Sequence, residues 1–231
     1  MKKLFTLSLA ALMLVASLAF NARPAQAQAA GLVSSILNKM DRNRRSLSSL
    51  RAGVTMQKNN AQLRDYDPLA YGEVAYISGA DTKVKVEWTR PARELLSVLN
   101  GQYTLYRPRL NQALVGSTKT AKGNAKVSGV LGFSMNMTGA QAKSQFNVEF
   151  VNEGTLDGPH VWLLKLTPKG AASYQYAEVW VNDDGMPIQT RVTEKNGDST
   201  LVRLTNIQRN ARVTTDDIKI NLPAGVKIVK G

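Results

Sequence analysis

Lys83-Val84-Lys85-Val86-Glu87-Trp88 alternates a charged with an apolar side chain at every step. Period two is the repeat of a β-strand with one face buried and the other wet. Phe146-Asn147-Val148-Glu149-Phe150 repeats it. Outward from these two stretches, strands are expected near 50–59, 69–78, 82–89, 93–99, 102–106, 146–153, 161–167, 175–182, 187–194 and 198–208. Asn100-Gly101 and Asn196-Gly197 read as type I′ hairpin turns, and Asp183-Asp184-Gly185 closes a hairpin between the Val179 and Ile188 strands. Between two strands and beside glycine, Asp183 and Asp184 are turn formers rather than paired catalytic carboxylates. Ten strands in succession predict a mainly β fold with a few helices, built as a single curved antiparallel sheet whose meander is broken by one stretch.

Two segments depart from period two. Leu32, Val33, Ile36, Leu37 and Met40 form one stripe of an amphipathic helix, and Arg42, Arg44 and Arg45 follow where cations complement the helix dipole. Ser117 to Lys126 is small, polar and basic, a loop by composition. It runs into Val130, Leu131, Phe133, Met135 and Met137, apolar residues without a strong period. They suit either a core element or a methionine-rich cover that repacks around a variable apolar ligand.

The N-terminus sets the compartment. Lys2 and Lys3 precede an uncharged apolar run from Leu4 to Phe20, and Ala25-Gln26-Ala27 is the small-x-small pattern of signal-peptidase cleavage. Residues 1–27 are therefore expected to be a cleaved secretory signal peptide and residues 28–231 a single exported domain, soluble in the periplasm. The chain carries 30 Lys and Arg against 17 Asp and Glu, a formal charge of +13. That excess suits an anionic partner, and export makes membrane phospholipid the expected one and nucleic acid not.

Catalysis finds little to work with. There is no cysteine and one histidine, which removes thiol nucleophiles, disulfides and Cys/His zinc sites. His160 sits in a turn, and Gly132-Phe133-Ser134-Met135-Asn136 lacks the second glycine of a nucleophile elbow. Neither a phosphate-binding P-loop nor a dinucleotide fingerprint occurs. Binding without a cofactor, metal or catalytic residue is the expectation.

Several pieces, in order, carry a resemblance. They are Leu50-Arg51-Ala52-Gly53-Val54-Thr55-Met56-Gln57, Gly72-Glu73-Val74, Asn100-Gly101, Tyr106-Arg107-Pro108 and Leu164-Lys165-Leu166-Thr167-Pro168-Lys169. Val179-Trp180-Val181-Asn182, Gly185-Met186-Pro187 and Ile220-Asn221-Leu222-Pro223-Ala224-Gly225-Val226 complete the series. From about Ser48 to Val229 this succession resembles the LolA family of periplasmic lipoprotein carriers. The resemblance implies an incomplete, half-open β-barrel whose concave apolar face lies under a helical lid. It further implies a monomer that takes lipoprotein acyl chains, or another lipid, from an inner-membrane donor complex and passes them to an outer-membrane acceptor. The alternative is a lipid or envelope-stress sensor on the same fold that regulates a membrane signalling partner, although no second interaction module is expected beyond the domain. A transmembrane β-barrel fits poorly, because charges fall on many strands and aromatic girdles are lacking.

Burying an acyl chain is worth about 0.8 kcal/mol per CH₂, so about 14 carbons require roughly 11 kcal/mol of apolar contact. Surface lysines at about 1 kcal/mol each do not supply that. The expected cavity residues are the inward positions Val54, Met56, Val84, Val86, Trp88, Phe146, Val148, Phe150, Trp162, Leu164, Leu166, Val179 and Val181. Leu131, Phe133, Met135 and Met137 are the expected lid. The same strand face would look alike against a helix or against a ligand, so a closed core remains open at this stage. One departure from the family stands out. Where it carries an arginine before proline, soon after the Gly-acidic-apolar opening of the second strand, this chain has Ser78 or Gly79. Arg90, in Thr89-Arg90-Pro91, is the candidate substitute latch for the lid.

Overall fold

The computed structural model describes residues 25–79, 81, 83–120, 130 and 135–230. The expected leader lies outside them except for Ala25, Gln26 and Ala27, which open the first helix.

Helix α1 (Ala25–Ser46) leads into β1 (Ser49–Asn60), β2 (Asp65–Tyr66), β3 (Ala70–Ile77), β4 (Lys83–Arg90), β5 (Glu94–Leu99), β6 (Gln102–Arg107) and β7 (Gln112–Ser117). Helix α2 (Gly139–Gln145) then opens a second run, β8 (Phe146–Thr155), β9 (His160–Pro168), β10 (Tyr174–Asn182), β11 (Pro187–Glu194) and β12 (Ser199–Arg209). A single-turn helix α3 (Thr215–Ile218) and β13 (Lys227–Lys230) follow. All ten expected strands are present. β7, β13 and the two-residue β2 are additional.

The strands form one open sheet in the order β13-β7-β6-β5-β4-β3-β1-β12-β11-β10-β9-β8, with β2 on the end of β1. This is the single curved sheet expected. The chain runs as two meanders, and β1 joins them by pairing with β3 on one side and β12 on the other, Val54 opposite Gly72 and Leu204. The excursion after β7 breaks the meander, so β8 starts a new edge and the chain works back to β1. β13 adds the one parallel pairing among the described residues, Ile228 beside Ala113. Register shifts at Arg51/Gly53, Tyr71/Gly72, Phe150/Asn152 and Trp180/Val181 bend the sheet, since a bulge increases local twist.

Turn chemistry explains the hairpins. Asn100 and Gly101 both have positive φ, 52° and 72°, the type I′ geometry expected. The 194–198 turn differs from the expectation. There Gly197 alone is left-handed, at φ 89°, its N–H donates to Glu194 O, and Glu194 N–H donates to Asp198 O. That is a three-residue loop ending in a glycine bulge, because Lys195 joins the turn. The Asn182–Met186 turn has the same form, with Gly185 at φ 79°.

Candidate functional site

Alternation places one side-chain set of every strand on the concave face. Cross-strand pairs carry the apolar set from strand to strand: Val86 lies opposite both Val74 and Leu96, Val84 opposite Val98, and Leu164 opposite both Val179 and Phe150. The thirteen expected cavity residues share this face, in two clusters. Val54, Met56, Val84, Val86 and Trp88 are buried in the first. Leu164, Leu166, Val179, Val181 and Phe146 are buried in the second, with Val148, Phe150 and Trp162 half-buried around them.

Different pieces cover the two clusters. Over the second lies α1, whose buried stripe Val33, Ile36, Leu37 and Met40 repeats at i, i+3, i+4 and i+7. The helix is pinned at its C-terminal half to the β10–β11 hairpin. Lys39 Nζ donates to Asp183 O at 3.1 Å and Asn43 Nδ2 to Met186 Sδ at 3.3 Å. A Cβ at Gly185 would stand 2.3 Å from the Lys39 carbonyl, so only glycine lets the helix backbone rest there. Asp41 reaches the other way, its Oδ1 accepting the Gly139 N–H at 3.0 Å at the start of α2. Thr138 and Gln141 close α2 with a reciprocal capping box.

Over the first cluster lies the segment expected to be the lid. Val130 and Met135 are buried against it, and with Ile188, Thr190, Val202 and Leu204 they frame a cleft of about 10 Å³. Met137 packs on the second cluster, so the segment bridges the two. Leu131, Phe133 and Ser134 lie outside the described residues. This segment has a polar tie to the sheet that the sequence reading missed: the Tyr76 hydroxyl donates to Asn136 Oδ1 at 2.5 Å. Burial pushes the Tyr76 hydroxyl pKa up. Tyr76 is on β3, the strand that ends at Ile77, just before Ser78 and Gly79 where the family arginine was sought. Its inward register, shared with Val74, was the available signal. Arg90 is elsewhere: it sits exposed at the end of β4 with its guanidinium carbon 4.4 Å from the Tyr71 ring centroid.

One polar group on the apolar face has no partner among the described residues. Trp88 is 2% exposed and its Nε1–H donates to none of them. A buried orphan donor costs about 1–3 kcal/mol, and an acceptor brought in by a ligand would recover it.

The sole histidine is held between carboxylates, Nδ1 2.9 Å from Asp183 Oδ1 and Nε2 3.6 Å from Glu153 Oε2. Lys39 Nζ lies 4.5 Å over the neighbouring Trp162 ring, so this cluster fastens α1 to β8–β10. Among the described residues no group of three or more His, Asp or Glu is arranged to hold a metal ion. Among them, too, no helix is long and apolar enough to cross a membrane.

Comparison with solved structures gives the same fold. MucB aligns with a TM-score of 0.54 at 15% identity, over 86% of this chain and 66% of that one. An uncharacterized conserved protein from Thermus thermophilus aligns with a TM-score of 0.53 at 14% identity, over 85% of this chain and 98% of its own. In the Pseudomonas aeruginosa MucA/MucB complex the TM-score is 0.49 at 16% identity, over 82% of this chain, and the present chain spans 61% of that chain's length. No curated protein sequence matches. The sequence model described as "Outer membrane lipoprotein carrier protein LolA" matches residues 81–221, well over half of the 231. On that match the chain belongs to the LolA outer-membrane lipoprotein carrier family.

Proposed function

We propose that this protein is a periplasmic carrier that binds lipoprotein acyl chains, or a related amphiphilic lipid, against its concave face. It takes them from an inner-membrane donor complex to an outer-membrane acceptor and performs no catalysis. The observation that carries this reading is the apolar concave face, with Val54 and Val86 in one cluster and Leu164 and Val179 in another, covered among the described residues by separate pieces, α1 over one and Val130 and Met135 over the other. Such covers can part from the wall without breaking strand pairing. The orphan Trp88 Nε1–H adds a donor suited to an ester or amide carbonyl at the head of an acyl chain.

The test is lipid extraction and mass spectrometry of protein purified from the periplasm, beside Phe150→Asp on the concave face and Lys85→Glu on the convex face. Phe150 is half-buried, so its position tolerates a charge better than the fully buried cluster residues do, and circular dichroism must show a native sheet. Acyl lipid on the wild type and Lys85→Glu but not on folded Phe150→Asp supports the reading. A folded wild type that holds no acyl lipid, yet binds a membrane signalling protein, favours the sensor instead.

A further inference from the structure

The hairpin turns fall at two ends of the sheet, and the ends are unlike. At one end lie the 61–69, 91–93, 108–111, 169–173 and 195–198 connections. Five of the seven exposed large hydrophobic residues among the described residues are here: Leu63, Tyr66, Leu69, Tyr71 and Leu110. Leu63 is 74% exposed, Leu110 64% and Tyr66 61%. The other two, Val151 and Ile228, are on the edge strands β8 and β13.

The hairpin turns themselves also differ in charge. The connections at this end carry Arg64, Arg93, Arg109, Lys169 and Lys195 against Asp65, Asp67 and Asp198. The hairpin turns at the opposite end, 78–82, 100–101, 156–159 and 183–186, carry Asp81, Asp157, Asp183 and Asp184 and no Lys or Arg. Lys119 after β7, Arg212 after β12 and Arg44 and Arg45 at the close of α1 bring cations to that end as well, yet among the described residues no exposed large hydrophobic accompanies them.

The apolar tip is built to hold its shape. Asn60 Oδ1 accepts the Leu63 N–H at 2.9 Å, Asp198 Oδ1 accepts the Ala61 N–H at 2.9 Å, and Lys58 O accepts the Asp67 N–H at 2.9 Å. Leucine is therefore held in water at a fixed place, beside a tyrosine and cations. That combination matches the boundary of a bilayer, where aliphatic chains enter the acyl region, tyrosine rings sit at the headgroups and cations meet lipid phosphate. A net positive chain is attracted to such a surface as a whole.

We propose that this end of the open sheet, led by the Ala61–Leu69 hairpin tip, docks on the surface of an anionic phospholipid membrane, with Leu63 and Tyr66 entering the interface and Arg64 and Arg109 facing the headgroups. The docking is separate from whatever the concave face carries, and it presents one chosen end of the open sheet to the bilayer.

Vesicle co-sedimentation tests it, with phosphatidylglycerol/phosphatidylcholine mixtures and phosphatidylcholine alone. The chain starting at Gln28 is compared with Leu63→Asp/Tyr66→Asp, Arg64→Glu/Arg109→Glu and the control Val151→Asp. All these side chains are exposed or in turns, so the variants are expected to fold, and circular dichroism checks it. The expected result is binding to the anionic vesicles that falls at least about tenfold in the apolar double variant. The charge variant and a rise from about 0.1 to about 0.5 M salt should also weaken it, with Val151→Asp unchanged. Equal binding by wild type and both double variants overturns the proposal, as does equal binding to neutral vesicles or none at all. If sedimentation shows a dimer that Leu63→Asp/Tyr66→Asp dissolves while no form binds vesicles, the surface joins two copies and the proposal is wrong.

Discussion

Gly185→Ala should loosen α1 from the sheet far more than one methyl group suggests. Two costs coincide there. The residue sits at φ 79°, and a left-handed L-residue costs about 1–2 kcal/mol. The new Cβ would also stand 2.3 Å from the Lys39 carbonyl carbon and oxygen and 2.7 Å from Met40 N. Those atoms belong to helix backbone, so the clash is relieved only by moving α1, at an overpacking cost of about 1–3 kcal/mol. The sum is about 2–5 kcal/mol. Gly101→Ala supplies the control, since Gly101 has φ 72° and nothing within 4 Å of its Cβ position. It should lose the dihedral cost alone, about 1–2 kcal/mol. Urea unfolding of both variants gives the difference, and hydrogen exchange along α1 shows whether the helix lifts. Equal losses in the two variants, or unchanged protection of the Val33–Met40 amides, would refute the reasoning that the helix backbone bears on this hairpin.

Tyr76→Phe removes the hydroxyl tie to Asn136 while keeping the buried ring, so lid opening should rise about fivefold for a bond worth about 1 kcal/mol. Hydrogen exchange at Asn136 and Met137 reads this, and unchanged exchange counts against Tyr76 as the fastening. Asp217 is held below its ordinary value of 3.8, first by the Thr214 backbone N–H that it accepts, then by the Thr214 hydroxyl. Its folded-state pKa is depressed, so its contribution to the α3 cap is complete above the unfolded value and is lost as pH falls through the folded one. The Thr214 amide resonance should therefore shift only below about pH 3.8, whereas a shift near neutrality would contradict the assignment.

The strands were legible where one face is buried and the other wet, as in β4 and β8, because alternation records that asymmetry residue by residue. β7 was missed because Gln112-Ala113-Leu114-Val115-Gly116-Ser117 is half-buried almost throughout and does not alternate. β13 is four residues long, and its parallel partner lies more than a hundred residues away. The union of β1 with β12 depends on such a distant pairing too, which no local pattern encodes. The same holds for the concave face. Period two assigned Val86 and Leu164 inward, but that α1 covers one half and the 130–137 segment the other is set by long-range packing. The latch illustrates the limit. A search for an arginine led to Arg90, whereas the tie between β3 and the described part of the segment comes from Tyr76, a different donor at an inward position.

Photo-crosslinking at adjacent positions of β8 tests the proposed cargo face most directly. Phe150 points to the concave side and Glu149 to the convex side, so a benzophenone amino acid at each samples opposite faces of one strand. Irradiated in cells, the Phe150 position should capture acyl-bearing lipid or lipoprotein while the Glu149 position captures none. Capture at Glu149 alone, or at neither position in folded protein, would contradict acyl-chain binding on the concave face.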